Sequence, residues 1–311
     1  MRILLTGVSG QVGGALQAPL RALGSVVAAD RSQLDLALPG TIAAALERLA
    51  PDLIINPAAY TAVDLAEDER ELAFRINAEA PAAIATWAAR HDVPVIHFST
   101  DYLFDGSGAM PWRETDTPAP LSVYGASKLA GERALHEAGG RHLIVRTSWV
   151  YAAQGRNFLR TIARLAAERR ELKIVADQYG APTSARIIAD AVLNILRKEV
   201  SGTGKPFAHD GGAVNVSAAG ETNWHGFASE IVAGLKQRGV PVAVEQVIPI
   251  QAADYPTKAT RPHNSRLDHS RLNAVFGVVM PTWQQALAVE LDQLAPELVA
   301  AGAGARAPLA S

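Results

Sequence analysis

The chain contains no cysteine. That excludes disulfides, thiolate nucleophiles and cysteine-ligated zinc, and it suits a reducing compartment. An excess of one charge is also missing. Lys plus Arg number 29 against 31 Asp plus Glu, and no block of like charge forms a basic arm, so nucleic acid is not an expected partner. Aromatics make up only 6% of residues and charged residues 19%, whereas hydrophobic residues reach 49%, which excludes wholesale disorder and supplies a sizeable core. The apolar run in Met1-Arg2-Ile3-Leu4-Leu5-Thr6-Gly7 is too short for a signal peptide or a membrane span. A cytoplasmic location with no membrane partner is therefore expected. The length, 311 residues, allows one large domain or two modest ones.

What is present is an alternation of short apolar runs with helical patterns. Arg2 to Thr6, Ser25 to Ala29, Asp52 to Asn56, Val93 to Thr100 and His142 to Val150 read as strands buried on both faces. Val12 to Leu23, Thr41 to Ala50, Asp68 to Arg90 and Gly125 to Ala138 carry helical spacing between them. This βαβαβ rhythm predicts an α/β fold, a Rossmann-type doubly wound parallel sheet. After Val150 it loosens into a helix (Asn157 to Arg170), a strand (Leu172 to Val175), a helix (Ser184 to Lys198), an exposed loop (Ser201 to Gly212) and a strand (Val214 to Ser217). A helix (Asn223 to Arg238), an extended segment (Val242 to Ile250) and a last helix (Thr282 to Leu294) follow. The expected division is a nucleotide-binding domain of residues 1–150 plus about 183–220. A smaller interwoven α/β substrate-binding part takes about 151–182 plus 221–298, and 299–311 form a disordered tail.

Directly after the first strand, Gly7-Val8-Ser9-Gly10-Gln11-Val12-Gly13 opens into a helix. Glycines here allow a sharp turn and let a pyrophosphate approach the free N–H groups of the helix N-terminus. Asp30 ends the second strand, 20 residues beyond Gly10, where an acid accepts hydrogen bonds from an adenosine ribose. Asp30 favours the free hydroxyl of NAD and the adjacent Arg31 the 2′-phosphate of NADP, so NADPH and NADH both remain open. Asp35 and Leu36 border the adenine in this reading, with a cap or turn as the other explanation of Asp35. Ala58, Ala59 and Thr61, in the loop after Asn56, give backbone groups close access to the cofactor; the alternative is a loop shaped by Pro57.

Tyr124 and Lys128 stand four apart at the start of a helical stretch and share one face. A tyrosine of pKa about 10 exchanges protons more easily beside a cation, which Lys128 supplies while also reaching the nicotinamide ribose. Ser99-Thr100-Asp101 ends the preceding strand, where open parallel sheets bind ligands. Thr100 can bind the oxygen that Tyr124 protonates, and Asp101 either contacts substrate or caps the next loop. Trp149 either stacks on a sugar from the same rim or fills the core. His97 and His142, within strands, are expected to pack, and His225 to end a helix.

With these segments assembled, the chain resembles the extended short-chain dehydrogenase/reductase superfamily through Thr6-Gly7-x-x-Gly10-x-x-Gly13 and Tyr124-x-x-x-Lys128. Within it, the chain is similar to the dTDP-4-dehydrorhamnose reductase family through narrower strings. These are Ser99-Thr100-Asp101-Tyr102-Leu103-Phe104-Asp105-Gly106, Val123 to Glu132, Arg146-Thr147-Ser148-Trp149-Val150-Tyr151, Asp177 to Thr183 and Arg261-Pro262-His263-Asn264-Ser265-Arg266-Leu267. The resemblance implies NAD(P)H-dependent reduction of the 4-keto group of dTDP-4-dehydro-L-rhamnose to dTDP-L-rhamnose, the final step of dTDP-rhamnose biosynthesis. Tyr124 would donate the proton, Lys128 would tune it, Thr100 would assist at the oxygen, and Thr100, Asp101 and Trp149 would border the sugar. Arg261 is a diphosphate contact on charge grounds, or else part of a structural turn.

Some family members hold Mg²⁺ through glutamates at a dimer contact; two matching positions here are Ala15 and Arg186, neither able to act as a carboxylate ligand. No such metal is expected, and a homodimer built around it is in doubt. The competing readings are a nucleotide-sugar 4,6-dehydratase or 4-epimerase, or a non-catalytic NADP-binding regulatory subunit. Tyr102 after Thr100-Asp101 weighs against the dehydratase, which needs an acid there.

Overall fold

In a computed structural model of the chain, residues 1–201 and 205–304 are described, the last four for their backbone alone. Six parallel strands form the central sheet: β1 (Arg2–Leu5), β2 (Ser25–Ala28), β3 (Leu53–Asn56), β4 (Val95–Thr100), β5 (His142–Thr147) and, from much later in the chain, Gly212–Asn215. Spatial order is β2-β1-β3-β4-β5 and then Gly212–Asn215 at the far edge, so the direction of winding reverses at β1. Ligands of such sheets bind outside the carboxyl ends of the strands at that reversal.

Alternate residues of each strand enter different cores, as a period of two requires. Ile3, Leu5, Leu53, Ile55, Ile96, Phe98, Leu143 and Val145 face α1 (Gln11–Leu20) and a later helix, Ala185–Ser201. Leu4, Ile54, Val95 and Ile144 face the opposite layer of α2 (Ile42–Leu49), α4 (Ala80–Arg90) and α5 (Val123–Ala138), while the short α3 (Arg70–Phe74) packs on α5. One π-helical turn, Arg75–Glu79, joins α3 to α4, so the expected continuous helix from Asp68 to Arg90 carries an extra residue per turn midway.

The remaining elements are β6 (Val150–Tyr151), α6 (Phe158–Glu168), β7 (Glu171–Val175), β8 (Tyr179–Gly180), β9 (Thr183–Ser184), α7 (Ala185–Ser201), β10 (Gly212–Asn215), β11 (Thr222–Asn223), α8 (Trp224–Gln237), β12 (Gln246–Ile250), α9 (Ser270–Phe276) and α10 (Trp283–Gly304). They make three two-stranded pairs: β6 with β9, β8 with β11, and β12 with β7. Leu159 of α6, Phe227 of α8 and Leu291 of α10 share one hydrophobic cluster with Ile3 and Leu16, so the core runs unbroken from the sheet into the later elements.

Several boundaries move. The strand expected to run from His142 to Val150 stops at Thr147, and the chain turns at Trp149, whose φ of 48° is left-handed. The extended segment from Val242 is a strand only over Gln246–Ile250, and α9 was not foreseen. The last helix continues to Gly304, into the stretch expected to be a disordered tail, of which 305–311 lie outside the described residues. So do residues 202–204 of the expected loop. Among the described residues, no helix is long and apolar enough to cross a membrane.

Candidate active site

The glycine-rich turn connects β1 to α1 at the point of reversal. Gly7 has φ 57°, and a Cβ there would lie 2.9 Å from the backbone of Ala58; one on Gly13 would lie 2.1 Å from the Gly7 carbonyl oxygen. Helix and turn therefore touch backbone to backbone, as only glycine permits. The N-cap is Gly10 with no side-chain cap, and the first turn of α1 has no acidic residue. Its leading N–H groups, positively polarised by the helix dipole, are free to receive an anion, so these residues fit a dinucleotide pyrophosphate. Gln11 accepts from Asn157 Nδ2 at 3.0 Å, tying the turn to α6, while Val12 packs on the main core.

Asp30 lies just past β2, exposed, its Oδ1 accepting from the Ser32 amide (2.9 Å) and hydroxyl (2.6 Å), bonds that lower its pKa. Arg31 beside it is exposed. Asp35 shapes a turn by accepting from the Ala37 amide, and Leu36 is buried in the α2 layer, which leaves Asp35 the only one of the two at the surface. The loop bearing Ala58, Ala59 and Thr61 is pinned by Asn77 of the π-turn. Its Oδ1 accepts from the Tyr60 amide (2.8 Å), and its Nδ2 donates to the Tyr60 carbonyl (3.0 Å) and to Ser127 Oγ (3.0 Å).

Thr100 and Asp101 occupy the carboxyl end of β4. Thr100 Oγ1 donates to Asp101 Oδ1 (3.0 Å) and accepts from the Tyr102 amide. Ser122 caps α5 by accepting from the Gly125 amide, and the bare Gly125 lies against the Tyr102 carbonyl oxygen, 2.2 Å from where a Cβ would stand. This contact sets Tyr124 beside Thr100, edge-on to Tyr102 with ring centres 5.6 Å apart. Lys128, one turn on, is 2% exposed. Its Nζ stands 3.2 Å from His97 Nε2.

The electrostatics depart from the sequence expectation. Burial pushes the Tyr124 phenol up to about 12, with the Thr100 side chain opposing and the Asp101 charge adding to the rise. In the chain by itself, Lys128 does not lower it. Burial brings Lys128 down to about 8 against the pull of Glu132, and raises Asp101 to about 6 against hydrogen bonds from Ser265 and Thr100. Ser99 Oγ is buried beside it with no hydrogen-bond partner among the described residues.

The other sequence strings converge here. A Cβ on Gly106 would meet Pro262 at 2.5 Å and the His263 nitrogen at 2.6 Å, so the loop after Asp101 lies flat against the Arg261 to Leu267 segment. Trp149 stacks on Trp224 (ring centres 3.6 Å, planes 8° apart) and covers Gly180, where a Cβ would stand 2.6 Å from its ring. Arg261 Nη2 is held by Asp64 Oδ2 at 2.6 Å, while its Nε is buried with no partner among the described residues. Near the start of α8, His225 Nε2 donates to the Val247 carbonyl at 3.0 Å. Sequence reading missed the buried pair of Arg146 on β5 and Glu132 on α5, joined through two bonds of 3.0 and 2.7 Å. Both residues stand in the recognised strings, the one available signal.

At position 186, Arg186 Nε pairs with Glu290 Oε1 at 3.4 Å, and Glu290 Oε2 accepts from the Ala153 amide. Ala15 offers no ligand atom. Among the described residues, no group of three or more His, Asp or Glu is placed to hold a metal ion.

Residues 1–295 match the family described as "RmlD substrate binding domain". The chain is 46% identical over 293 residues to a dTDP-4-dehydrorhamnose reductase of Burkholderia thailandensis, covering 92% of this chain and 97% of that one. It is 44% identical over 298 residues to the protein of that name from Escherichia coli, covering 94% and 98%. A crystal structure of a dTDP-4-dehydrorhamnose reductase from Clostridium acetobutylicum superposes with TM-score 0.86 at 33% identity over 94% of this chain and 99% of that one. One from Bacillus anthracis, in complex with NADP, gives 0.84 at 32% identity over the same shares. Whole-length agreement in sequence and in fold places this chain in the dTDP-4-dehydrorhamnose reductase family.

Proposed function

We propose that the chain reduces the 4-keto group of dTDP-4-dehydro-L-rhamnose to dTDP-L-rhamnose with NADPH or NADH. The observation that carries this is the meeting of Tyr124, Thr100 and Asp101 at the end of β4, with Lys128 buried one turn behind, in a chain of this family. Residues 1–150 plus about 183–220 hold the cofactor, and about 151–182 plus 221–298 hold the sugar nucleotide.

Gly7, Gly10, Gln11, Val12 and Gly13 offer the pyrophosphate a close backbone approach, Asp30 and Arg31 receive the adenosine ribose, and Asp35, Leu36, Ala58, Ala59 and Thr61 flank that path. When bound, the nicotinamide supplies the hydride. The chain's own residues handle the oxygen. A phenol near 12 is protonated at neutral pH, so Tyr124 stands ready as the acid that gives its proton to the forming alkoxide. Thr100 donates to the same oxygen, a bond that strengthens as charge develops. Lys128 steadies the resulting phenolate and binds the nicotinamide ribose. Asp101 and Trp149 border the sugar, and Arg261, released from Asp64, meets the diphosphate.

The enzyme works in the cytoplasm in this reading, consistent with a chain free of cysteine and with water-soluble reactants. Any homodimer forms without a metal at positions 15 and 186, because Arg186 already neutralises Glu290. The test follows NADPH absorbance with dTDP-4-dehydrorhamnose, repeats it with NADH, and compares Tyr124→Phe. Turnover lost in the folded variant supports the reading. No turnover by the native chain despite tight cofactor binding overturns it and favours an epimerase or a regulatory subunit.

A further inference from the structure

Lys128 Nζ stands 3.2 Å from His97 Nε2, His97 Nδ1 stands 3.2 Å from Asn56 Nδ2, and Thr6 Oγ1 is 2.6 Å from Asn56 Oδ1. Thr6 Oγ1 in turn accepts from the Ala58 amide, in the loop that lies against Gly7. All four side chains are 3% exposed or less. A continuous polar line thus runs from the glycine-rich turn past the ends of β1 and β3 and through the middle of β4 to Lys128.

Its donors and acceptors cannot be fixed independently. Asn56 Nδ2 only donates, so His97 Nδ1 facing it must accept, which puts the ring hydrogen on Nε2 toward Lys128. That arrangement suits Lys128 as a neutral amine. An ammonium has only donors, so Nε2 must then accept, the hydrogen must sit on Nδ1, and Asn56 must turn its amide to present Oδ1. Its Nδ2 then faces Thr6 Oγ1, which accepts. One proton is taken up from solvent on passing from amine to ammonium, and the imidazole stays neutral throughout.

We propose that His97 and Asn56 are positioning residues for Lys128, forming with Thr6 a buried relay whose direction reverses when the lysine gains or loses its proton. An imidazole suits this because it exchanges donor for acceptor at the same site without moving its ring. Burial holds His97 well below its ordinary range, with the Lys128 and His142 charges adding to the effect, so it remains neutral. Among the described residues, the charged or titratable groups acting on the pair are Glu132 on α5, which is tied to Arg146 on β5, and His142 at the start of β5. Gly131 lets α5 come this close, since a Cβ there would meet the Asn77 carbonyl oxygen at 2.2 Å and His97 Nε2 at 3.6 Å.

The decisive experiment uses the full chain, free of cofactor, with ¹⁵N-labelled histidine, and assigns His97 by its loss in His97→Gln. Ring-nitrogen shifts are followed from about pH 6.5 to 9.5, a range spanning the Lys128 transition. The hydrogen is expected on Nδ1 at the low end and on Nε2 at the high end, with no such change in Lys128→Met. One tautomer throughout, or a change that persists in Lys128→Met, overturns the relay. This measurement needs no turnover, so it stands apart from the reading of Tyr124 and Lys128 as the reacting pair, on which only the kinetic arm rests. There, His97→Phe removes the acceptor for the ammonium and moves the basic limb of kcat down by about one pH unit, as expected for losing a hydrogen bond to a charged group. His97→Gln, which can still accept, recovers most of that movement. An unmoved limb in folded His97→Phe refutes the kinetic role.

Discussion

Lys128 should be a burden on the fold that carries it. Its ammonium is 2% exposed, and burial lowers its pKa from 10.5 to about 8 even with Glu132 nearby. At about 1.4 kcal/mol per pH unit, that fall means about 3 kcal/mol of stability withheld at pH 7. The sign follows from proton counting. Between about 8 and 10.5 the unfolded chain holds the Lys128 proton and the folded chain does not, so stability rises with pH through that window and the burden is full below it. Lys128→Met keeps the apolar stem, removes the charge and leaves His97 Nε2 unpartnered, which returns about 1 kcal/mol of cost. Without cofactor, the variant should therefore be more stable than the native chain by about 2 kcal/mol at pH 7, a few degrees in melting temperature. It should at the same time have lost turnover. Thermal melts of both proteins at pH 7 and at pH 10 check this. The advantage should shrink at pH 10, where the native lysine is largely neutral. A variant less stable at pH 7, or an equal gain at both pH values, would refute the argument that desolvation dominates at this site.

Replacing Gly13 by Ala places a methyl group 2.1 Å from the Gly7 carbonyl oxygen, so α1 must move off the turn; NADPH affinity measured by fluorescence titration should fall at least tenfold. Glu132→Gln leaves the Arg146 guanidinium buried without its carboxylate and should cost about 3–5 kcal/mol in denaturant unfolding. The double variant Glu132→Gln with Arg146→Met should recover part of that loss, and failure to do so would mean that Arg146 acts chiefly through the Glu114 carbonyl and Phe104. Prolonged treatment with EDTA should change neither turnover nor oligomeric state in light scattering, because Arg186 already neutralises Glu290 and Ala15 has no ligand atom.

The sheet was legible because parallel strands covered on both faces must be apolar on both faces, a pattern visible in Ile3-Leu4-Leu5 and Leu53-Ile54-Ile55 without any partner being known. The glycine turn was legible for a related reason: backbone contacts as tight as that between Gly7 and Ala58 leave a residue type as their trace. Side-chain pairing leaves no such trace. Trp149 reads as the end of a strand, and only the left-handed turn and the ring of Trp224, 75 positions later, show that it leaves the sheet to cover Gly180. The π-turn that aims Asn77 at Tyr60 is not marked in the sequence, because no residue type or spacing is specific to it within an alanine-rich helical stretch. His97 is the sharpest case. Within a strand of apolar neighbours it reads as a residue that packs, and it does pack, being 1% exposed. Burial also decides its contacts: the two ring nitrogens stand against Asn56 Nδ2 and Lys128 Nζ, each at 3.2 Å. A buried polar residue in such a strand is therefore understood through the partners its polar atoms take, which an apolar pattern does not reveal.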